Sequence, residues 1–166
     1  RILFMQGGAI AHNALIPMNL MGDRTVADYV VTGAWSTKSQ KEASRYATVN
    51  IAASSEVSGF TTVPALSDWK LSADPAYLCT CTNETIGGVE YPFEPDLTKL
   101  CRGEIPVVAD MSSHILSRAI DVSKYGLIFG GAQKNIGPAG LTIVIVRDDL
   151  LGRAMPHCPT AFDFRT

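Results

Sequence analysis

LIFGGAQKNIGPAGLTIVIV, Leu127–Val146, is the stretch on which the reading of this chain turns. Leu127–Phe129 is a short apolar run closed by Gly130-Gly131, and Leu141–Val146 is the most β-rich segment of the sequence. Such runs of Val, Ile and Leu indicate strands covered on both faces, as in a mostly parallel sheet between helical layers. Between the two runs Lys134 sits on a tight loop, flanked by glycines and Pro138.

Further strands are read at Arg1–Met5 (RILFM, taken as buried), Asp28–Thr32, Thr48–Ala52, Tyr77–Thr82 and Ile105–Ala109. Gly7-Gly8 separates the first of these from an apolar run at Ala9–Leu20. Ser36 or Thr37 can cap a helix reaching about Ala47, and Thr37 with Gln40 has capping-box spacing. Residues 54–75 are rich in Ser, Thr, Asp and Pro and read as a surface excursion, and Arg147–Gly152 as a helix or turn. Strands alternate with helices, no repeat or linker interrupts them, and one α/β domain is expected over residues 1–166.

Composition agrees. A chain of 166 residues that is 46% hydrophobic and 18% charged has the apolar content for a core, which excludes a disordered chain. Fourteen Lys+Arg against sixteen Asp+Glu give a net charge of −2, and no basic run marks a nucleic-acid surface. No apolar stretch approaches membrane-spanning length. The sequence opens on Arg1 without a signal-peptide pattern, which suggests an internal piece of a longer protein. Cys79, Cys81, Cys101 and Cys158 have no metal-ligand or disulfide spacing, and none of His12, His114 or His157 completes a zinc set. No metal is expected, and the thiols read as small hydrophobes in a reducing compartment.

In parallel sheets ligands sit beyond the carboxyl ends of the strands. The residues falling there are Gly7-Gly8-Ala9, Ala34-Trp35, Asn83-Glu84-Thr85, Asp110 and Gln133-Lys134. Each has an ordinary reading: Asp110 as a cap or turn residue, Lys134 as a solvated loop lysine, Trp35 as core filling, Thr85 as turn chemistry, and the glycine pair as a strand-to-helix turn. Each also has a chemical one. Asp110 can hold a cationic nitrogen, Lys134 can form a Schiff base, Trp35 can stack on a heteroaromatic ring, and backbone N–H groups after Gly8 can meet a phosphate. Five weak signals at the ends of strands in one chain reinforce each other.

All of these but Gly7-Gly8-Ala9 lie in ADYVVTGAWSTKSQKEA (27–43), CTNETIGGVEY (81–91) and VVADMSSHILSRAIDVSKYGLIFGGAQKNIGPAG (107–140), which LTIVIVRDDLLG (141–152) follows. Their order resembles the phosphoserine aminotransferase family, class V members of the fold type I pyridoxal-phosphate enzymes. VSKYGLIFGGAQKN is the most specific part. The resemblance implies the three-layer α/β/α large domain of that fold, mainly parallel with Leu141–Val146 antiparallel. It implies pyridoxal 5′-phosphate as cofactor, with Lys134 forming the internal aldimine and moving the proton, and Asp110 holding the pyridine nitrogen protonated. It further implies Trp35 stacked on the ring and Thr85 bonded to the phenolic oxygen. The phosphate would be held by Gln133 and the backbone of Ala9 and Ile10, with help from Ser112.

The implied reaction is amino transfer from glutamate to 3-phosphohydroxypyruvate in serine biosynthesis, by a cytoplasmic homodimer. The family's N-terminal arm and C-terminal small domain, with the substrate-binding arginines, are expected to be absent here, leaving weak activity or none. A glycine-rich phosphate turn of the family is replaced at Ala9, Ala11 and His12, and Gly87 stands where a polar residue is common. The alternative is a non-catalytic fragment or degenerate paralogue that keeps the fold and dimer surface. Desulfuration would need a mobile catalytic cysteine. Cys79 and Cys81 lie in a strand, and Cys101 and Cys158 fall outside the site motifs.

Overall fold

A computed structural model of the protein describes residues 1–97 and 104–166. Cys101 and Arg102 lie outside the described residues. A seven-stranded sheet is built from β1 (Ile2–Gln6), β2 (Val26–Val31), β3 (Thr48–Ser54), β4 (Leu78–Cys81), β7 (Val107–Asp110), β8 (Leu127–Gly131) and β9 (Leu141–Val146). The short strands β5 (Asn83–Glu84) and β6 (Val89–Glu90) form a separate hairpin. The sheet order is β1-β9-β8-β7-β4-β2-β3. β9 runs antiparallel to both its neighbours, and every other pairing in the sheet is parallel. The mainly parallel sheet with Leu141–Val146 reversed is therefore as expected.

Alternate residues of the central strands feed two cores. Tyr29, Cys79, Val108, Leu127, Phe129 and Val144 face one side, with helices α1 (Ala9–Leu20) and α2 (Ala34–Ala43) packed over it. Val30, Leu78, Val107, Ala109 and Ile128 face the other, under Trp69, Tyr91, Leu97, Met111, Ile115 and Tyr125. Among the described residues this second covering is made of turns and 3-10 segments. After Asp110 the backbone makes one helical turn, Ile115 N–H to Met111 O, and then Leu116 takes a left-handed φ of 66° that stops it.

Three local expectations are corrected. β1 is an edge strand, not a buried one: it pairs only with β9, and Ile2 and Phe4 are 60% and 73% exposed. α2 begins at Ala34 after Gly33 and ends at Ala43, so neither Ser36 nor Thr37 is its N-cap. Ser36 sits in the first turn, and its Oγ accepts from the N–H groups of Thr32 (2.9 Å) and Gly33 (3.1 Å). Finally, residues 54–75 are more than a surface excursion. Trp69 is buried against Tyr91 and Phe93 and donates from Nε1 to Pro64 O. The fully buried Asp28 carboxylate accepts from Ser72 N, Ser72 Oγ and Asn50 Nδ2, tying that segment to β2 and β3.

The C-terminal residues clamp α1. Asn19 Nδ2 donates to Phe162 O and Asn19 Oδ1 accepts from Phe164 N–H, both at 2.9 Å. No helix among the described residues is long and apolar enough to cross a membrane.

Candidate active site

Because the parallel strands point the same way, their following loops meet at one edge of the sheet. A cavity of about 610 Å³ opens there, within the range of small-molecule sites. It is lined by Ala9, Ile10, Trp35, Thr85, Asp110, Ser112, Gln133 and Lys134, so every site residue expected from the sequence reaches the same space.

Lys134 comes three residues after β8, exposed, with a φ of +46°. A left-handed lysine is costly by about 1–3 kcal/mol, and such strain collects where a side chain must be aimed. Asp110 ends β7, and its Oδ1 accepts from Ser112 N–H (2.9 Å) and Ser112 Oγ (2.6 Å). Burial pushes its carboxyl above the ordinary range, against the two Ser112 bonds, and the nearby Glu84 adds to the rise. Among the described residues Asp110 forms no ion pair. A half-buried acid without a cation is a site suited to a positively charged ring nitrogen.

Ser112 lines the cavity and is also engaged with Asp110. Its single hydroxyl proton goes to Asp110, and the same oxygen accepts from Gly131 N–H at 3.0 Å. In this arrangement it braces Asp110 against the end of β8.

The start of α1 faces the cavity through Ala9 and Ile10. Gly7 turns the chain at φ +86°, its N–H donating to Gly140 O and its carbonyl accepting from Thr142 Oγ1. Gly8 provides no side-chain cap and the first turn has no acidic residue, leaving the positive end of the helix dipole open to the cavity. Gly131 allows this closeness. A Cβ there would lie 2.6 Å from Ala9 N and 2.9 Å from Ala9 Cβ. In the same first turn His12 is fully buried, stacked on Phe129, with Nε2 unpartnered. Burial lowers its pKa below 6.5 despite the contact with Gly8 O.

Trp35 is half-buried in the first turn of α2, with Lys38 Nζ 4.5 Å from its ring centre. Thr85 and Ile86 form the exposed lip beyond β5. Sequence reasoning gave no role to Glu84, the residue before Thr85. It is fully buried and its carboxylate receives the N–H groups of Trp35 and Ser36. The only signal was its place beside a candidate ligand. Cys81 also lines the cavity, but burial next to Asp110 holds its thiol well above the usual range, which makes it a poor nucleophile. Among the described residues no group of His, Cys, Asp and Glu could hold a metal ion.

A lysine on a strained turn, an acid awaiting a cation, an indole and an open helix start around one cavity have the layout of a cofactor site of the aminotransferase kind. Residues 1–162 match the family model for aminotransferase class V, and the chain belongs to that family. It is 62% identical to phosphoserine aminotransferase of Herminiimonas arsenicoxydans over 99% of this chain and 45% of that protein. Among solved structures, phosphoserine aminotransferase from Bacillus circulans subsp. alkalophilus superposes with a TM-score of 0.91 at 44% identity, over 99% of this chain and 44% of that one. The PLP-bound phosphoserine aminotransferase of Trichomonas vaginalis gives 0.86 at 41% identity, over 99% and 46%. The chain thus spans about 45% of the length of the curated relatives it matches.

Proposed function

We propose that this chain binds pyridoxal 5′-phosphate covalently through Lys134. With the remaining length of its relatives, it would transfer an amino group from glutamate to 3-phosphohydroxypyruvate, giving phosphoserine and 2-oxoglutarate for serine biosynthesis. The observation that carries this reading is the convergence of Lys134, Asp110, Trp35, Thr85, Gln133 and the uncapped start of α1 on one cavity.

The residues fit the cofactor group by group. The N–H groups of Ala9 and Ile10, the dipole of α1 and the Gln133 amide suit a phosphate. Asp110, raised by burial and without an ion pair among the described residues, suits a protonated pyridine nitrogen, whose charge would favour the carboxylate form. Trp35 offers a flat face, and Thr85 a hydroxyl for the phenolic oxygen. When bound, the cofactor supplies an electron sink for a carbanion at the substrate α-carbon. Lys134 would hold it through its amine and, once the substrate amine has displaced that bond, the freed amine would serve as the base that carries the α-proton. Ser112 keeps Asp110 aligned with the end of β8 throughout.

Lys134 is the only cationic side chain lining the cavity among the described residues, and no arginine reaches it. A substrate with a carboxylate and a phosphate needs more positive charge than that. Turnover by this chain alone is therefore weak, because remote substrate contacts drive the reacting centre. The active form is a homodimer in the cytoplasm. Titrating the chain with pyridoxal phosphate tests the reading. A saturable change in cofactor absorbance is expected, and it disappears in Lys134→Ala. A wild-type chain that is folded yet gives no such change would favour a non-catalytic structural role.

A further inference from the structure

We propose that Glu84 is the positioning residue of this site, a buried carboxylate that clamps the first turn of α2 and so holds Trp35 at the cavity while its own chain delivers Thr85. The inference rests on the reading that the cavity receives pyridoxal phosphate. Its geometry stands independently of that reading.

Three donors converge on the two oxygens. Oε2 accepts from Trp35 N–H at 2.8 Å. Oε1 accepts from Ser36 N–H at 2.8 Å and from Ser36 Oγ at 2.5 Å. These are first-turn donors of α2, which Gly33, the N-cap, leaves without a side-chain acceptor of its own. A carboxylate at this place also meets the positive end of the helix dipole, so its charge is offset although it is fully buried. The contact is shaped from the other side as well. A Cβ on Gly33 would fall 2.6 Å from Glu84 Cδ and 2.7 Å from Oε2, so residue 33 has no side chain where the acid sits.

One residue thus connects two parts of the site that are remote in sequence. Trp35 follows β2, whereas Thr85 follows β5, and both line the cavity. The hairpin of β5 and β6 is held from its other side by the segment after β7, where Ser113 Oγ donates to Asn83 O at 3.0 Å and Arg118 pairs with Glu90. Losing the clamp would free the first turn of α2 from the hairpin, so the indole would move relative to a Thr85 that stays anchored. Glu84 also contributes to the rise of the Asp110 carboxyl, which links the clamp electrically to the acid of the site.

Glu84→Gln is the informative change. The amide keeps one acceptor oxygen, which the two Ser36 donors require, and turns its NH2 toward Trp35 N–H. Two quantities are measured. In the cofactor-free chain, backbone amide exchange of Trp35 and Ser36 is followed by NMR, with the buried Trp69 on the opposite face as control. Separately, the chain is titrated with pyridoxal phosphate. The expected result is exchange at Trp35 faster by about 10- to 100-fold, with a smaller change at Ser36 and none at Trp69. Cofactor affinity should fall by about tenfold, matching one charge-assisted bond.

Unchanged Trp35 exchange, or unchanged cofactor affinity with a loosened Trp35, overturns the proposal. Should Glu84→Gln not fold, Glu84→Asp takes over both readouts, since it keeps the charge but draws the carboxylate back from the Trp35 and Ser36 N–H groups. If the wild type takes up no pyridoxal phosphate, the functional reading fails. The exchange comparison still decides whether Glu84 clamps α2.

Discussion

Gly131→Ala probes the tightest backbone approach in the site. The methyl would lie 2.6 Å from Ala9 N, 2.9 Å from Ala9 Cβ and 3.3 Å from Ala9 Cα. Ordinary contact begins near 3.4 Å, so the end of β8 and the start of α1 must part by about 0.8 Å. Nothing flexible can yield, because the atoms met belong to the first residue of the helix and its backbone. Gly131 is not in the left-handed region, so the cost is the contact itself. Overpacking of this kind costs about 1–3 kcal/mol. For a chain of this size that corresponds to a melting temperature lower by about 2–12 °C. The same shift moves the Ala9 and Ile10 N–H groups away from Gln133 and strains the Gly131–Ser112 bond that braces Asp110. Cofactor affinity is expected to fall by about 10- to 100-fold, as displacements near 1 Å do to positioned groups. The assay pairs thermal melting with a pyridoxal phosphate titration followed by absorbance. A variant that melts and binds like the wild type refutes the argument that the phosphate cradle depends on this approach.

Other substitutions separate stability from function. Asp110→Asn removes a carboxyl whose folded-state pKa is raised, a group that costs the cofactor-free fold stability once it ionises. It should melt slightly higher without cofactor, yet slow the glutamate half-reaction on the order of 100-fold; unchanged turnover removes Asp110 from the chemistry. Trp35→Ala should weaken cofactor binding about 2- to 10-fold through lost stacking, and an unaffected affinity would return Trp35 to plain packing. Burial lowers the pKa of both His12 and His114 below 6.5. The unfolded chain then takes up these protons first, so their contribution is complete above pH 6.5 and is lost as pH falls through the lowered folded values. The urea midpoint should drop between about pH 7 and pH 5.5, and the drop should be shallower in His12→Asn with His114→Asn. Equal slopes would mean that other groups carry the acid sensitivity.

Much of the site could be read along the chain because the fold puts function at strand ends, and strand ends are marked. Val107–Ala109 runs into Asp110, and Leu127–Phe129 into two glycines and then Lys134, so the change from apolar to polar locates both residues. The reversed strand followed from the family likeness, and the pairings of Leu141–Val146 bear it out. What was hidden depends on partners far away in sequence. RILFM looks buried, but a strand at the sheet edge has one side uncovered, and edge position is a property of the topology. Ser36 and Thr37 are good caps by type, yet α2 is capped by Glu84, 48 residues beyond Ser36. Asp28 and Trp69 likewise bind residues 54–75 to the sheet by tertiary contacts that local composition does not record. The single helical turn after Asp110 ends where Leu116 turns left-handed, and nothing in MSSHIL announces that.

The central claim is covalent: one amine, at Lys134, receives the cofactor. Incubating the chain with pyridoxal 5′-phosphate, reducing with borohydride and mapping the digested peptides by mass tests it directly. The account requires a single modified peptide containing AQKN, with the added mass on Lys134 and none in Lys134→Ala. Label spread over exposed lysines such as Lys38 and Lys41, or a folded chain that takes none, would contradict it.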